Sequence, residues 1–326
     1  MTRPEPMPSD ARAVLSGDRR ALARLISAVE NRDPSAEPTL RSLYPKTGRA
    51  RIIGLTGPLG VGKSSTINAL LAHLRGLGRK VGIIAVDPSS PFTGGSVLGD
   101  RIRLDRRPGD EGVFIRSMAS RGHRGGLAAA TLEVARLLDA FGMDVVLIET
   151  VGSGQVDLEV RDVASTSVVV LVPHLGDEVQ TLKAGLFEIA DVFCVNKADL
   201  AGADLAARDL RELVSLGTRS DGWKPRIVTA SARDGRGVAE LWAAIEAHEA
   251  FLDQDGRRAA VTRRQISAEL LGLVVERLER SLTRGFEADR RLAAVVDRVA
   301  ARELDPHRAA ERLSATRRGP GARTRG

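Results

Sequence analysis

The glycine-rich segment Gly57–Ser64, with the sequence G-P-L-G-V-G-K-S, has the residue types and the spacing of a phosphate-binding loop. Glycines let backbone N–H groups converge on phosphate oxygens, and the first turn of a following helix adds the positive end of its dipole. In this pattern Lys63 reaches the β- and γ-phosphates, while the Ser64 hydroxyl ligates Mg²⁺. The residues that we predict to contact a nucleotide here are Gly57, Gly60, Val61, Gly62, Lys63, Ser64 and Ser65.

A second motif, Asn196–Asp199 with the sequence N-K-A-D, follows the apolar run V-F-C-V and indicates which base is bound. The Asp199 carboxylate can accept hydrogen bonds from N1–H and the N2 amino group of guanine, which adenine cannot donate. An unpaired buried carboxylate costs about 1–3 kcal/mol or more, so the preference is expected to be strong. Lys197 is expected along the base plane, and Ser231 and Ala232 suit the loop whose backbone caps the guanine carbonyl. In combination with the phosphate loop, this motif predicts GTP and GDP as ligands.

Acidic residues follow other apolar runs and are candidates for binding Mg²⁺. Asp87 ends the run K-V-G-I-I-A-V-D, and Asp100 lies in a glycine-rich connection, although either could instead cap a helix or be a solvated loop acid. Glu149 begins an E-x-x-G motif at the place where many phosphate-loop GTPases have D-x-x-G. We expect Glu149 to bind the metal through a water or to orient the attacking water, and the Gly152 amide to sense the γ-phosphate. Gln155 is not assigned a catalytic role.

Short β-branched runs alternate with helical segments between these motifs, and this pattern predicts the elements that position them. The runs are R-I-I-G-L-T, K-V-G-I-I-A-V, G-V-F-I-R-S-M, D-V-V-L-I-E-T, S-V-V-V-L-V, V-F-C-V-N-K and R-I-V-T-A-S. Nearly continuous apolar strands separated by helices are typical of a mostly parallel sheet covered on both faces. The predicted fold is therefore α/β, a P-loop NTPase with a central sheet and surrounding helices.

Helical segments are predicted on both sides of that domain. Residues 1–48 form a helical lead-in with Asp18 as a plausible N-cap, and residues 49–255 form the nucleotide-binding domain. Residues 256–316 are predicted to be helical, since apolar residues recur every four positions from Ile266, and to form a dimerisation arm. Residues 317–326 are expected to be a disordered basic tail.

Composition excludes several other classes of protein. The formal net charge of +7 falls to +3 without the four arginines of the last ten residues, so a nucleic-acid surface is not favoured. The single cysteine, Cys194, lies in an apolar run and excludes a disulfide framework or a cysteine-based metal site. No apolar run is long enough to span a membrane, and the start lacks the apolar core of a signal peptide. The expected location is cytoplasmic, with no membrane partner.

With these motifs in place, the chain resembles the methylmalonyl-CoA mutase-associated GTPases, bacterial relatives of the human methylmalonic aciduria type A protein that older descriptions call arginine/ornithine transport ATPases. The resemblance runs from about Gly17 to Leu313. Its most specific stretches are GDRRALARLI, VDPSSPFTGGSVLGDRIRL, SMASRGHRGGLA, ETVGSGQ, LGDEVQTLKAG and IADVFCVNKADL.

The resemblance implies a GTPase chaperone of a cobalamin-dependent acyl-CoA mutase, most simply methylmalonyl-CoA mutase. Such a chaperone gates adenosylcobalamin delivery and protects or reactivates the mutase, and it acts as a homodimer, with an adenosyltransferase as a further partner. By the same resemblance Mg²⁺ is held around Ser64, Asp87, Asp100 and Glu149, and catalysis involves Lys63, Asp100, Glu149 and Gly152. A third switch loop that communicates with the mutase contains Gly176, Asp177, Glu178, Gln180 and Lys183.

Several positions depart from the family pattern. Leu59 stands where proline is usual and Ser65 where threonine is usual, and neither change removes a required phosphate ligand. The other departures are His174, Ser153 and Val156, on the side expected to face the partner. These departures put the identity of the mutase in question rather than GTP binding.

Other functions remain open from the sequence alone. The client could be isobutyryl-, ethylmalonyl- or 2-hydroxyacyl-CoA mutase, or the chain could serve a nickel enzyme, although five scattered histidines and one cysteine argue against metal delivery. An ATP-dependent kinase is disfavoured by the N-K-x-D motif. A nucleic-acid-binding module would need an affinity that falls steeply with salt.

Overall fold

The computed structural model of the protein describes residues 7–88, 109–120, 126–150, 156–173, 188–217, 219, 221–287 and 290–315. The chain divides into two compact units, Met1–Gly272 and Leu273–Gly326.

The first unit is built on a parallel sheet of seven strands, as the alternating apolar runs predict. The strands are β1 Arg51–Thr56, β2 Val81–Pro88, β3 Val113–Ser120, β4 Val145–Glu149, β5 Thr166–Leu171, β6 Val192–Val195 and β7 Arg226–Thr229. They lie in the order β3-β2-β4-β1-β5-β6-β7, and every described pairing is parallel. Because β1 lies between β4 and β5, the chain reverses its direction of winding next to the strand that leads into the phosphate loop. Ligands of open α/β sheets bind at such a point.

Helices pack on both faces of this sheet. In the first unit they are α1 Ser9–Leu15, α2 Arg19–Glu30, α3 Glu37–Leu43, α4 Lys63–Gly76, α5 Gly126–Phe141, α6 Val156–Val163, α7 Ala203–Leu216 and α8 Val238–Leu252. A further helix, α9 Arg257–Glu287, begins in this unit, and α10 Arg290–Ala300 and α11 Pro306–Ala315 belong to the second. Short 3-10 turns occur at Pro34–Ala36 and Tyr44–Lys46.

Two apolar cores lie on opposite faces of the sheet because successive strand residues point to opposite sides. In β4, Leu147 packs into the core beneath α4 and α8, while its neighbours Val146 and Ile148 pack into the core shared with α1, α2 and α5. Burial of this kind on both faces explains why the strands are nearly continuous apolar runs rather than alternating ones.

The N-terminal helices are attached to the edge of the sheet. Asp18 caps α2 as predicted, since its carboxylate accepts hydrogen bonds from the amides of Arg20 and Ala21. Arg19 then donates to the carbonyl oxygen of Val113 in the edge strand β3 at 2.6 Å, and its guanidinium lies 5.3 Å from the ring centre of Phe114. Arg19 therefore joins the lead-in to the edge strand β3.

Most of the described residues beyond Arg257 are helical, as the spacing of the apolar residues predicts. The sequence R-R-L-A-A-V-V-D-R-V-A forms helix α10, and the two residues between it and α9 lie outside the described part. Among the described residues, no helix combines the length and the apolarity needed to cross a membrane.

Candidate nucleotide-binding site

The predicted nucleotide-contacting residues come together at the carboxyl ends of four strands. The phosphate loop follows β1, Glu149 ends β4, Asn196 follows β6, and Ser231 lies just beyond β7. Since all of these strands are parallel, their carboxyl ends meet at one edge of the sheet.

The phosphate loop curls around the ammonium group of Lys63, the first residue of α4. This side chain is buried, and its Nζ donates to the carbonyl oxygens of Gly57 at 2.7 Å and Pro58 at 2.9 Å. Gly62, which caps α4, has a φ of 92°, a left-handed conformation that favours glycine. The loop therefore holds one positive charge inside its curve, next to the amino end of a helix whose dipole also favours an anion.

Oxygen atoms from α4 and β4 meet beside this loop. Ser64 Oγ donates to Glu149 Oε1 at 2.5 Å, which joins the predicted metal ligand of the loop to the acid of the E-x-x-G motif. One residue further on, Thr150 Oγ1 donates to Thr56 Oγ1 at 2.9 Å, and both of these hydroxyl groups are buried. Hydroxyl and carboxylate oxygens are the donors that Mg²⁺ prefers, so Ser64 and Glu149 fit a magnesium ion chemically.

The N-K-x-D motif is hydrogen-bonded directly to the phosphate loop. Asn196 is buried, and its Nδ2 donates to the carbonyl oxygen of Val61 at 2.8 Å, while its Oδ1 accepts from the Ala232 amide at 3.1 Å. Lys197 Nζ donates to the carbonyl oxygen of Gly60 at 3.0 Å. Lys197 also has a φ of 58°, which is uncommon for a residue with a side chain. One asparagine thus connects three segments that are distant in sequence.

Asp199 lies at the outer side of this arrangement and keeps part of its carboxylate accessible. Its Oδ1 accepts from Ser231 Oγ at 3.1 Å, and its side chain is 25% exposed. Arg233 Nη1 lies 4.0 Å from Asp199 Oδ2, with the arginine side chain 88% exposed. The carboxylate is therefore oriented by Ser231 while one oxygen faces a solvated cation, an arrangement in which a ligand can reach it.

Cys194, two residues before Asn196, takes no polar part in the site. It is fully buried in β6, and this burial raises the pKa of its thiol to about 12. The thiol therefore stays protonated, as expected for a small core residue.

Some predicted positions cannot be compared with the structure. Asp87 pairs with Ala119 in the sheet, but its side chain lies outside the described part. Val156 begins α6, and its side chain is likewise not described. The predicted residues that lie outside the described ranges are Asp100, Gly152, Ser153, Gln155, His174, Gly176, Asp177, Glu178, Gln180 and Lys183.

Three residues of this arrangement were not predicted from the sequence. Arg233 directly follows the S-A pair, so its position beside the base loop could have been inferred from the sequence. Thr56 and Thr150 end the first and fourth apolar runs, but only the pairing of β1 with β4 brings them together.

Comparisons with known proteins find relatives that are described as GTPases. A family model described as methylmalonyl-CoA mutase-associated GTPase MeaB matches residues 22–287. A putative GTPase of Pyrococcus abyssi is 47% identical over 91% of this chain and 92% of its own length. The mitochondrial methylmalonic aciduria type A homolog of Mus musculus is 32% identical over 80% of this chain and 64% of its own length.

A solved structure supports the fold over nearly the whole chain. The crystal structure of an LAO/AO transport system kinase superposes with a TM-score of 0.70, at 28% identity, over 97% of this chain and 99% of that chain. The similarity therefore includes the central sheet.

Proposed function

The chain belongs to the family of methylmalonyl-CoA mutase-associated GTPases and is itself a GTPase, and on that premise we propose that it is the chaperone of a cobalamin-dependent acyl-CoA mutase. In this role it couples GTP hydrolysis to adenosylcobalamin delivery and protects or reactivates the mutase. Methylmalonyl-CoA mutase is the proposed client, because the family and one relative are named for that enzyme or its deficiency.

The observation that carries this proposal is the hydrogen bonding between the base motif and the phosphate loop. Asn196 and Lys197 donate to loop carbonyl oxygens at 2.8 and 3.0 Å, so the two halves of a nucleotide site are held at a fixed separation. In the proposed complex the base is recognised by Asp199 and the phosphates are bound by the loop. Backbone N–H groups, the α4 dipole and the Lys63 ammonium then stabilise negative charge on the transferred phosphoryl group.

Magnesium is proposed to bind with the nucleotide at Ser64, Asp87, Asp100 and Glu149. The oxygen donors of Ser64 and Glu149, 2.5 Å apart, suit this ion, which would neutralise phosphate charge when bound. Glu149 is also proposed to orient the attacking water, and the Gly152 amide to sense the γ-phosphate.

Communication with the mutase is assigned to the third switch loop, which includes Gly176, Asp177, Glu178, Gln180 and Lys183. Unassisted hydrolysis is expected to be slow. A partner that orders the switch loops would supply positive charge beside the γ-phosphate, and such assistance raises the hydrolysis rate by about 10³–10⁵-fold in assisted GTPases.

Replacing Lys183 by alanine should leave basal hydrolysis and nucleotide affinity unchanged but remove stimulation by the mutase. A variant stimulated as fully as wild type would exclude Lys183 from coupling.

Two assembly partners complete the proposal. The C-terminal helices from residue 256 onward are proposed to join two copies of the chain, and an adenosyltransferase is proposed to supply the cobalamin. Both assignments rest on the family to which the chain belongs.

The experiment that tests the proposed function uses a variant with altered base specificity. Purified chain is mixed with methylmalonyl-CoA mutase, and transfer of adenosylcobalamin to the mutase is followed with GTP or with xanthosine triphosphate. The wild type should require GTP, and the Asp199→Asn variant should require xanthosine triphosphate. Xanthine has a carbonyl group where guanine has its N2 amino group, and the side-chain amide of the variant can donate a hydrogen bond to that carbonyl. Transfer that depends on neither nucleotide would overturn the chaperone role, while Lys63→Ala serves as the hydrolysis-deficient control.

A further inference from the structure

A second cavity lies at the opposite end of the sheet from the nucleotide motifs. Its volume is about 470 Å³, and its wall includes Arg51 and Val145, the first residues of β1 and β4. The phosphate loop follows the last residue of the six-residue β1, so the two sites are separated by roughly 20 Å of strand. The cavity therefore cannot be part of the GTP site.

Four basic side chains line this cavity, and most of them have no acidic partner among the described residues. The side chains of Lys46, Arg49 and Arg79 make no ion pair or hydrogen bond with any residue in the described part of the chain. Arg51 differs, since its Nη1 lies 3.3 Å from Glu246 Oε1. Within that part of the chain, three of the four cations around the cavity are therefore without an ion pair.

The two acids in the wall are already occupied by backbone donors. The Asp139 carboxylate accepts hydrogen bonds from the amides of Gly48, Arg49 and Ala50, the last at 3.0 Å. Asp144 Oδ2 accepts from the Lys80 amide at 2.7 Å. Asp139 therefore fixes the loop that carries Arg49. Both carboxylates keep their charge but are directed at backbone N–H groups. The wall as a whole remains positive, because its basic side chains outnumber these two acids.

Apolar groups form the rest of the wall. They include Trp242, which is buried, and the side chains of Leu15 and Phe141. The volume is within the range of about 300–1,000 Å³ that pockets for small molecules have. An anion that binds here would place its charged group among the cations and its apolar body against these rings.

We propose that this cavity is a second ligand site, specific for a small phosphate monoester with an aromatic or apolar body. Guanidinium groups match phosphate oxygens in a two-point geometry. The double negative charge of a phosphate monoester also suits three cations that lack an ion pair among the described residues better than the single charge of a carboxylate does. A small molecule fits better than an acidic protein segment, because the cations surround one indentation of small-ligand size rather than lying along an extended face.

The test is calorimetric titration of phenyl phosphate into the full chain saturated with GDP and Mg²⁺, so that the nucleotide site is filled. We expect saturable binding of one molecule per chain, tighter than that of inorganic phosphate. Arg49→Ala and Arg79→Ala should each weaken binding by about tenfold or more, since a charged hydrogen bond is lost. Arg211→Ala, on the exposed side of α7, is the matched control and should leave binding unchanged.

Three results would overturn the proposal: no saturable binding, equal weakening by Arg211→Ala, or an affinity for phenyl phosphate no better than for inorganic phosphate. A polyglutamate peptide that displaces phenyl phosphate at lower concentration would instead identify a surface for an acidic protein, and would also overturn it. Arg49→Ala and Arg79→Ala should retain wild-type GTP hydrolysis. Failure at this cavity is therefore distinguishable from failure of the proposed chaperone role, which Lys63→Ala and Asp199→Asn test.

Discussion

At the scale of single residues, Asp199 should decide which nucleotide is used. Its carboxylate is oriented by Ser231 and is 25% exposed, so it can accept from N1–H and the N2 amino group of guanine. Asp199→Asn should weaken GTP binding by about tenfold to a hundredfold and improve xanthosine triphosphate binding. Fluorescence titration with both nucleotides measures the change. An unaltered ratio of the two affinities in the variant would remove the base-reading role.

Gly62 is predicted to be required for the link between the two nucleotide motifs. A Cβ at this position would lie 2.4 Å from Asn196 Nδ2, and the φ of 92° is unfavourable for any other residue. Gly62→Ala should therefore displace Asn196 and lower the affinity for GTP and xanthosine triphosphate alike. Gly60→Ala is the matched control, because its φ of 79° is also left-handed while the space around its Cβ is open.

Nucleotide titrations of both glycine variants separate the two effects. A loss in Gly62→Ala that clearly exceeds the loss in Gly60→Ala supports steric contact with Asn196. Equal losses would mean that backbone strain alone is responsible and that the asparagine link is not decisive.

The site could be predicted from the sequence only as far as local motifs go. The phosphate loop and N-K-A-D each have a chemistry that follows from residue type and spacing. The bonds from Asn196 to Val61 and from Thr150 to Thr56 depend on which strands are neighbours. Strand order is set by long-range packing, so no local pattern could have indicated these bonds.

At the scale of secondary-structure elements, a buried polar network ties α8 to the amino ends of β5 and β6. His248 Nδ1 lies 2.8 Å from Thr166 Oγ1, and its Nε2 lies 3.4 Å from Asp191 Oδ1. Glu249 Oε1 accepts from the Thr166 hydroxyl at 2.6 Å, and Arg219 Nη1 lies 3.0 Å from Asp191 Oδ1. Because its members are buried, a change in their charge should affect the stability of the fold.

His248 should make that stability depend on pH. Burial lowers the pKa of its imidazole below the ordinary value of 6.5, while Asp191 and Glu249 oppose the shift and Arg219 adds to it. As pH falls below about 6.5, the unfolded chain takes up a proton that the folded chain does not, so the folded state loses stability. The loss is at most about 1.4 kcal/mol per pH unit for one group.

Denaturant unfolding between about pH 7.5 and about pH 5.5 tests this expectation. His248→Gln should be less stable than wild type at the upper pH, because it perturbs the network, but should lose less free energy of unfolding on acidification. His307→Gln, at an exposed position of α11, should follow the wild-type curve. An identical pH dependence in wild type and His248→Gln would assign the effect to other groups.

The strands could be predicted from the sequence because of their burial. Each apolar run became a strand, because residues buried on both faces must be nearly all apolar. The order of the strands could not be predicted in the same way, since no local pattern places β4 between β2 and β1.

At the scale of the whole molecule, α9 carries apolar side chains that remain exposed within a single chain. They are Leu270 at 56%, Leu271 at 66%, Val274 at 53%, Val275 at 41% and Leu278 at 59% exposure. Residues four apart lie on the same side of a helix, so these side chains form one apolar face. A contiguous exposed face of this kind marks a contact with another molecule, and we propose a second copy of the chain as that molecule.

Charge placed on this face should therefore separate the two copies. Leu270→Glu and Leu278→Glu would each bury a carboxylate without a partner in the proposed contact, so the dimer should dissociate at concentrations where the wild type remains associated. Leu205→Glu in α7 is the control, because it introduces the same charge at a position of the first unit that is 62% exposed.

Sedimentation velocity measures the mass of each protein against that of the 34.8 kDa chain. Truncation near Leu252 should also give a monomer, of correspondingly lower mass, because it removes the whole helix. If wild type already sediments as a single chain, or if both α9 variants keep the wild-type mass, the apolar face does not join two copies of this protein.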